Sequence, residues 1–183
     1  MSNSTAPSIA ARAASPKSFP GVLKALMQAR PTDRVRIAWD ALQSLPGGKK
    51  LFSWIIGRVA PYSGNIKAEV LELKVGYARA RMRDRRKLRN HLRCLHAIAL
   101  SNLAEFAGNL ALAYSIPGDA RFIVTRINME YFHKARGTIT AVCAGAMPAD
   151  NSKREVEISV ELRDAQGVLV AQAALFSLVG PVS

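Results

Sequence analysis

A glutamate inside an apolar stretch is the residue of this chain whose position most clearly suggests chemistry. Glu105 lies in residues 95–108, where most of the other side chains are apolar. His96 precedes Glu105 by nine positions, and Asn90 precedes His96 by six. Removing a carboxylate from water disfavours its charged form, so a carboxylate in such a setting needs either a hydrogen-bonding partner or a catalytic role.

The pattern of apolar residues predicts one long buried helix followed by four strands. Residues 95–115 are apolar on nearly every side, which is typical of a helix buried all round. Further along, apolar side chains recur at every second position, which predicts strands over residues 122–131, 138–144, 155–163 and 168–179. In the first of these strands we expect one face to carry Ile123, Thr125, Ile127, Met129 and Tyr131.

Ahead of the long helix the sequence predicts short helices and then a strand. Apolar stripes indicate two helices within residues 19–45, the second capped near Thr32 and Asp33, and a third over residues 51–59. Strand character begins at Ile66, and its phase slips by one residue after Val70, as at a β-bulge. The stripe of the first helix within residues 19–45 consists of Val22, Leu23, Leu26 and Met27. After the short helices, the predicted order is one strand, the long helix and four strands.

The positive charge is concentrated in one segment. The chain has a formal net charge of +13, and residues 74–93 hold nine of its lysines and arginines but one acid, Asp84. The segment has a single aromatic residue, Tyr77, whereas single-strand nucleic-acid binders stack bases on several. We interpret it as a solvated basic edge strand and expect no nucleic-acid partner. A phosphate-bearing small ligand, a nucleic acid and an anionic membrane surface are the alternatives.

The length and composition favour one main domain in a reducing compartment. We expect a disordered tail over residues 1–18, an N-terminal helical extension over residues 19–60 and the main domain over residues 61–183. The tail lacks the apolar core of a secretory signal, and Cys94 and Cys143 form no disulfide framework, so we expect a cytoplasmic protein. A membrane span over the long helix is disfavoured because a carboxylate at mid-span costs roughly 2.5–3.5 kcal/mol.

The order of elements and the pattern Asn90-x5-His96-Ala97-x7-Glu105 resemble the hotdog-fold acyl-CoA thioesterases of the phenylacetate-pathway type, and in particular their relatives known only as domains of unknown function. The resemblance covers about residues 51–179. It implies an α+β hotdog fold, in which a curved antiparallel sheet wraps around a long central helix. The family usually has two glycines where this chain has Ala97 and Ile98. Residues 131–139 resemble the family's passage that ends in a glycine, here Gly137, beside the pantetheine channel.

The resemblance implies a role for each candidate residue. The amides of Ala97 and its neighbours would polarise the thioester carbonyl, and Glu105 would act as general base on water or as nucleophile. Asn90 would hydrogen-bond the thioester oxygen or hold its loop, and Asn109 would steer the water. We interpret His96 first as a helix-start residue and second as a base. The coenzyme A part of the substrate is assigned to Arg89, Arg136 and Gly137, and we expect no other cofactor and no metal.

The spacing of Ala97 and Glu105 constrains any catalytic hypothesis. They are eight residues apart, or about 12 Å along one helix, so one carbonyl cannot touch both. Catalysis therefore requires a homodimer, alone or within a tetramer, with antiparallel helices that bring Ala97 of one subunit to Glu105 of the other. Two alternatives remain. Glu105 is a structural carboxylate paired with Arg126 or Asn109, or the protein binds acyl-CoA without hydrolysing it, as Ala97 and Ile98 in place of glycines suggest.

Overall fold

The computed structural model describes residues 27–182. The expected tail over residues 1–18, and Val22, Leu23 and Leu26 of the first helical stripe, lie outside the described residues. The elements follow the chain as α1 (Pro31–Leu42), α2 (Gly48–Val59), α3 (Pro61–Gly64), β1 (Glu69–Lys74), β2 (Tyr77–Met82), a 3-10 turn (Arg86–Leu88), α4 (Ala97–Ser115), β3 (Ala120–Tyr131), β4 (Ile139–Ala144), β5 (Arg154–Arg163) and β6 (Leu169–Pro181).

A curved antiparallel sheet surrounds α4, as the resemblance implies, and it has six strands where the sequence predicts five. Their order across the sheet is β1-β2-β4-β5-β6-β3. Alternate residues of the inner strands face α4 and are fully buried, because a strand directs successive side chains to opposite faces. They include Ala78, Ala80, Met82, Ala141, Cys143, Val160, Leu162 and Leu175. The expected turn over residues 164–167 joins β5 to β6, with Gly167 in the left-handed region at φ +83°.

The predicted element order is wrong before α4, because two strands precede the helix rather than one. Lys74 pairs with Tyr77 across a two-residue turn in which Gly76 has φ +71°, a conformation that suits glycine. The basic strand is also wrongly predicted as an edge strand, since β2 pairs with β1 on one side and β4 on the other. Its arginines lie on the outer face of the sheet. The bulge expected after Val70 is confirmed by the register shift there.

Strand β3 forms one edge of the sheet, and its predicted single face is wrong. A register shift lies between Val124 and Arg126 in the pairing of β3 with β6. Ile123 is therefore on the outer face and 66% exposed, whereas Ile127 is opposite the buried Leu175 on the inner face. A bulge shifts every later residue to the opposite face, and the alternation of residue types does not reveal it.

Helix α4 is buried on most sides, and one stripe of it is partly exposed. The helix begins two residues later than expected, at Ala97. Partly exposed residues recur along it every three or four positions, which places them on one face: Ile98, Ser101, Glu105 and Asn109. On the side toward the sheet, Gly108 lies against Leu175 and Val160 so closely that an added Cβ would collide with Leu175. The described residues include no helix that is long and apolar enough to cross a membrane.

The N-terminal helices pack on the same core as α4. Trp39 of α1 and Phe52 of α2 are buried with ring centroids 5.1 Å apart, and both belong to the core cluster that contains the α4 side chains. The expected cap at Thr32 and Asp33 is wrong. Helix α1 starts one residue earlier, with Pro31 in its first turn and Arg30 as N-cap, without a side-chain cap hydrogen bond. Proline needs no amide partner at this position, so the helix can begin there.

Arg36 of α1 caps the C-terminal end of α4. Its guanidinium donates to the carbonyl oxygen of Tyr114 through Nε (3.0 Å) and Nη2 (2.8 Å), and to that of Ile116 through Nη2 (3.0 Å). The last carbonyls of a helix have no partner within the helix and lie at the negative end of its dipole. Arg36 therefore joins α1 to α4 by a charge-assisted contact.

We expect Arg36→Met to lower the free energy of unfolding by about 2–3 kcal/mol, because part-buried carbonyls lose a charged donor. Urea denaturation followed by circular dichroism measures the change. Arg34→Met is the matched control, since Arg34 is exposed and its Nε donates to Ala29 at the surface. We expect this control to change stability by less than about 0.5 kcal/mol. Equal losses in the two variants would contradict the capping role.

Candidate active site

The first turn of α4 presents one unengaged amide. The N-cap is His96, whose Nδ1 accepts from the N–H of Ile98 at 3.1 Å. The amides of Ala99 and Leu100 donate to the carbonyl oxygen of His96. Within the described part of the chain, the N–H of Ala97 has no acceptor. A donor at the positive end of a helix dipole can stabilise negative charge that develops on a carbonyl oxygen.

His96 is found in the first of its two expected roles. Its side chain is exposed and its Nδ1 caps the helix. Because Nδ1 is engaged with the amide of Ile98, its use as a base would release the cap. The cap also uses the amide of Ile98, which leaves Ala97 as the first-turn donor.

Ala97 lines a cleft of about 320 Å³ between the loop before α4 and the end of β3. The loop contributes Asn90, and the segment after β3 contributes His133 and Lys134. Leu100 lines the same cleft with an apolar side chain. The cleft therefore combines a helix-start amide, an amide side chain and an apolar wall, which is a suitable environment for a polar acyl group.

Asn90 holds the loop that forms this cleft. Its Oδ1 accepts from the backbone amides of Leu92 (2.9 Å) and Cys94 (3.3 Å). Its backbone N–H donates to the carbonyl oxygen of Cys94 (2.8 Å). Of the two roles implied for Asn90, the geometry shows the loop-holding one. Its Nδ2 has no acceptor in the described ranges, so this donor is unengaged.

Glu105 lies on the partly exposed stripe of α4 and is oriented by Asn109. Nδ2 of Asn109 donates to Oε1 of Glu105 at 3.3 Å. The alternative partner Arg126 is elsewhere, with its guanidinium 3.8 Å from the centre of the Phe176 ring. Oδ1 of Asn109 is buried, and it has no partner among the described residues. The carboxylate is thus half-buried, held on one oxygen and outside the cleft that contains Ala97.

Two further polar side chains meet near the start of α4, Ser101 of α4 and Tyr131 of β3, and the sequence does not predict them as site residues. The hydroxyls of Ser101 and Tyr131 lie 2.9 Å apart, and both approach the carbonyl oxygen of Ala97. Ser101 lies four residues before Glu105, so helical spacing alone places the two on one face. The contact with Tyr131 joins α4 to the end of β3 across thirty residues, and no sequence signal indicates it.

Two of the three residues assigned to coenzyme A, Arg89 and Gly137, are linked through Asp84. Its carboxylate accepts from Nε of Arg89 at 2.7 Å and from the amide of Gly137 at 3.1 Å. The hydrogen bond from Arg89, assisted by the amide of Gly137, holds the pKa of Asp84 below its usual range. Arg136 is exposed beside Gly137. One carboxylate therefore fastens the loop before α4 to the segment between β3 and β4.

We expect Asp84→Asn to destabilise the protein by about 1 kcal/mol at pH 7. The pKa of Asp84 is depressed in the folded state, so its contribution is present above the unfolded pKa of about 4 and is lost as pH falls through the folded value. The difference between wild type and variant should therefore shrink below pH 4 in urea titrations. Glu161→Gln, which removes the exposed ion pair with Arg163, serves as control, and its free energy of unfolding should differ little from that of wild type. A gap of constant size from pH 7 to pH 3 would contradict the role of Asp84.

The structure brings some of the predicted site residues together and leaves others apart. Asn90 and Ala97 line one cleft, and Asp84 joins Arg89 to Gly137 nearby. Glu105 lies eight residues further along α4, about 12 Å from Ala97 along the axis. One chain by itself therefore separates the polarising amide from the carboxylate.

A curved antiparallel sheet around a central helix defines a protein of the hotdog-fold class. Within that class, the chain belongs to the family described as domain of unknown function DUF4442, which matches residues 48–179. The comparison with curated proteins gives no match.

Solved structures agree with this fold. The structural-genomics protein APC5556 is 30% identical, with a TM-score of 0.70 over 81% of this chain and 98% of its own. The Pseudomonas aeruginosa protein PA5026, of unknown function and described as a probable thioesterase, is 22% identical with a TM-score of 0.64 over 75% of this chain and 97% of its own. The Staphylococcus aureus thioesterase SAV0944 is 17% identical with a TM-score of 0.60 over 66% of this chain and 99% of its own. The predicted resemblance to hotdog proteins of unknown function is confirmed.

Proposed function

We propose that this protein hydrolyses an acyl thioester of coenzyme A, or of another acyl carrier, and does so as a dimer. The observation that carries the proposal is the unengaged amide of Ala97 beside a cleft, on the same helix as a half-buried carboxylate, Glu105. These are the two groups that thioester hydrolysis requires, a donor for the carbonyl oxygen and a base for the water.

The dimer follows from the distance between these two groups. The edge strand β3 offers unpaired backbone groups and the exposed side chains of Ile123, Ile127 and Tyr131. A second copy paired there around a two-fold axis continues the sheet and sets the two α4 helices antiparallel. In this arrangement Ala97 faces the partner's Glu105, and each dimer holds two sites.

In the proposed reaction the Ala97 amide donates to the thioester carbonyl oxygen. Glu105, oriented by Asn109, takes a proton from a water molecule as that water attacks the carbonyl carbon. The tetrahedral intermediate returns its electron pair to the carbonyl, the C–S bond breaks, and the thiolate leaves and takes up a proton. Direct attack by the Glu105 carboxylate, followed by hydrolysis of the resulting anhydride, uses the same geometry.

A structural neighbour supports the choice of residues. One structure of the Staphylococcus aureus protein SAV0944 has alanine in place of a glutamine. Another has alanine in place of a glutamate that lies fifteen positions later. Asn90 and Glu105 in this chain are also fifteen positions apart. If the two proteins share the arrangement of the site, an amide side chain and a carboxylate should occur at the same separation in both.

The cations near the cleft favour a phosphate-bearing carrier. Arg136 and Lys134 are exposed beside the segment that lines the cleft, and Arg89 lies across the loop from them. We place the coenzyme A end of the substrate there, with Gly137 leaving room at the turn.

Hydrolysis of a panel of acyl-CoA esters, from acetyl to palmitoyl, tests the proposal through the release of free thiol. We expect turnover with at least one member. Binding across the panel without turnover would instead support an acyl-CoA-binding protein that is not an enzyme. That second candidate is favoured by one observation, the capture of the Ile98 amide by His96, which leaves a single donor where two neighbouring glycines are usual in the family.

A further inference from the structure

A second cleft lies beside β1, the edge strand opposite to β3 in the order of the sheet. It has a volume of about 580 Å³ and is formed by α2, α3, the start of β1, the residue after β2 and Phe106 of α4. None of its lining residues lines the cleft at Ala97. This volume is within the range of pockets that hold a small-molecule ligand.

The lining of this cleft is strongly cationic. Lys50, Lys67 and Arg83 are exposed and point to no acidic partner in the described part of the chain. The acid in the lining, Glu69, is already bound through Oε2 to Nε (3.1 Å) and Nη2 (2.9 Å) of Arg81. Unpaired cations that converge on a concave surface create a positive potential that attracts an anion.

An aromatic ring accompanies these cations. Trp54 lines the cleft and is 58% exposed, whereas the other tryptophan, Trp39, is 1% exposed. The guanidinium of Arg58 lies 5.0 Å from the centre of the Trp54 ring. A large exposed indole next to several cations provides both a stacking surface and a binding site for phosphate.

The backbone conformation at Lys67 is unfavourable for a residue with a side chain, which indicates that the lysine side chain itself is needed there. Lys67 has φ +49°, in the left-handed region that residues with a Cβ seldom adopt. Its amide donates to the carbonyl oxygen of Gly64 at 3.0 Å, which fixes the turn into β1. Glycine would satisfy this backbone better, and the lysine instead adds a cation to the cleft.

We propose that this cleft binds a phosphorylated nucleotide, with the phosphates on Lys50, Lys67 and Arg83 and the base on the Trp54 ring. The cations of the cleft favour an anionic occupant, whereas residues 1–26 contain Arg12, Lys17 and Lys24 and no acid. The inference does not depend on the proposed thioesterase function.

Tryptophan fluorescence of the full chain tests this proposal with adenosine 5′-triphosphate, which is not a part of coenzyme A. We expect saturable quenching that weakens as salt is raised and disappears in Trp54→Phe. Lys67→Gly and Arg83→Met should each weaken binding at least about tenfold, as the loss of a charged phosphate contact implies. Lys67→Gly relieves the backbone conformation, so it should fold at least as well as wild type.

Controls distinguish the nucleotide from other anions. Lys87→Gly removes an exposed cation outside the cleft and should leave the affinity unchanged. Pyrophosphate should bind more weakly than the nucleotide in calorimetry, and equal affinity would overturn the role of the ring. Binding to phosphatidylglycerol vesicles that depends on Lys67 and Arg83, without nucleotide binding, would overturn the proposal in favour of a membrane surface. Equal affinity of wild type and Lys67→Gly for the nucleotide would also overturn it.

Discussion

Glu105→Gln is expected to lower kcat for thioester hydrolysis by about 10²–10⁴-fold, the contribution of a positioned general base. The substitution keeps the size of the side chain and an oxygen that can accept from Asn109, so the fold and the assembly should be unchanged. Free-thiol release under saturating acyl-CoA measures kcat, and size-exclusion chromatography with light scattering measures the assembly.

Glu157→Gln is the matched control for this experiment. Glu157 is exposed on β5, and removing its charge changes the net charge by the same amount. We expect its kcat to equal that of wild type. If Glu105→Gln keeps its turnover, the carboxylate is structural and the assignment of a base must be withdrawn.

Ala97→Pro is expected to lower kcat by about 10²–10³-fold, the effect of losing one oxyanion donor. Ala97 is the first residue of α4, where proline is favoured because its amide would have no partner within the helix. The preceding His96 is extended, with ψ 142°, which suits a residue before proline. The variant therefore removes the amide proton and leaves the helix intact. Ala97→Ser, which retains the amide, should keep activity within a few-fold of wild type.

The two variants together test whether each site spans two subunits. Co-refolding of equal amounts of Ala97→Pro and Glu105→Gln produces mixed dimers in which one site carries both substitutions and the other carries neither. Half of the dimers are mixed, and each mixed dimer has one intact site out of two. About a quarter of wild-type activity should therefore return. If both groups acted within one chain, no intact site would form and activity would stay at the level of the separate variants.

The sequence predicts the central helix and the sheet well because burial determines their residue types. A helix apolar on every side, followed by alternating strands, has few compatible architectures. The hairpin between β1 and β2 was missed because the sequence predicts a single strand before α4, whereas Gly76 lies in a two-residue turn that divides it. The face of β3 was mispredicted because the extra residue between Val124 and Arg126 leaves the alternation of residue types intact.

The site was predictable only where local spacing determines it. Asn90, His96 and Ala97 lie on one short segment, and Glu105 follows at helical spacing, so their order along α4 could be inferred. The contact of Tyr131 with Ser101, and the position of Asp84 between Arg89 and Gly137, depend on how distant segments meet. The cationic cleft draws residues from four elements, and no single stretch of the sequence reveals it.

The close approach of α4 to the sheet at Gly108 determines where a hydrocarbon chain can be accommodated. A Cβ added at this position would collide with the side chain of Leu175, so the helix and the sheet are in direct contact there. Under the proposed function, we expect the fatty part of a bound ester to avoid this contact and to extend along the flank of the helix that carries Ser101 and Glu105. Side chains on that flank, rather than those of the interior, would determine which chain lengths are accepted.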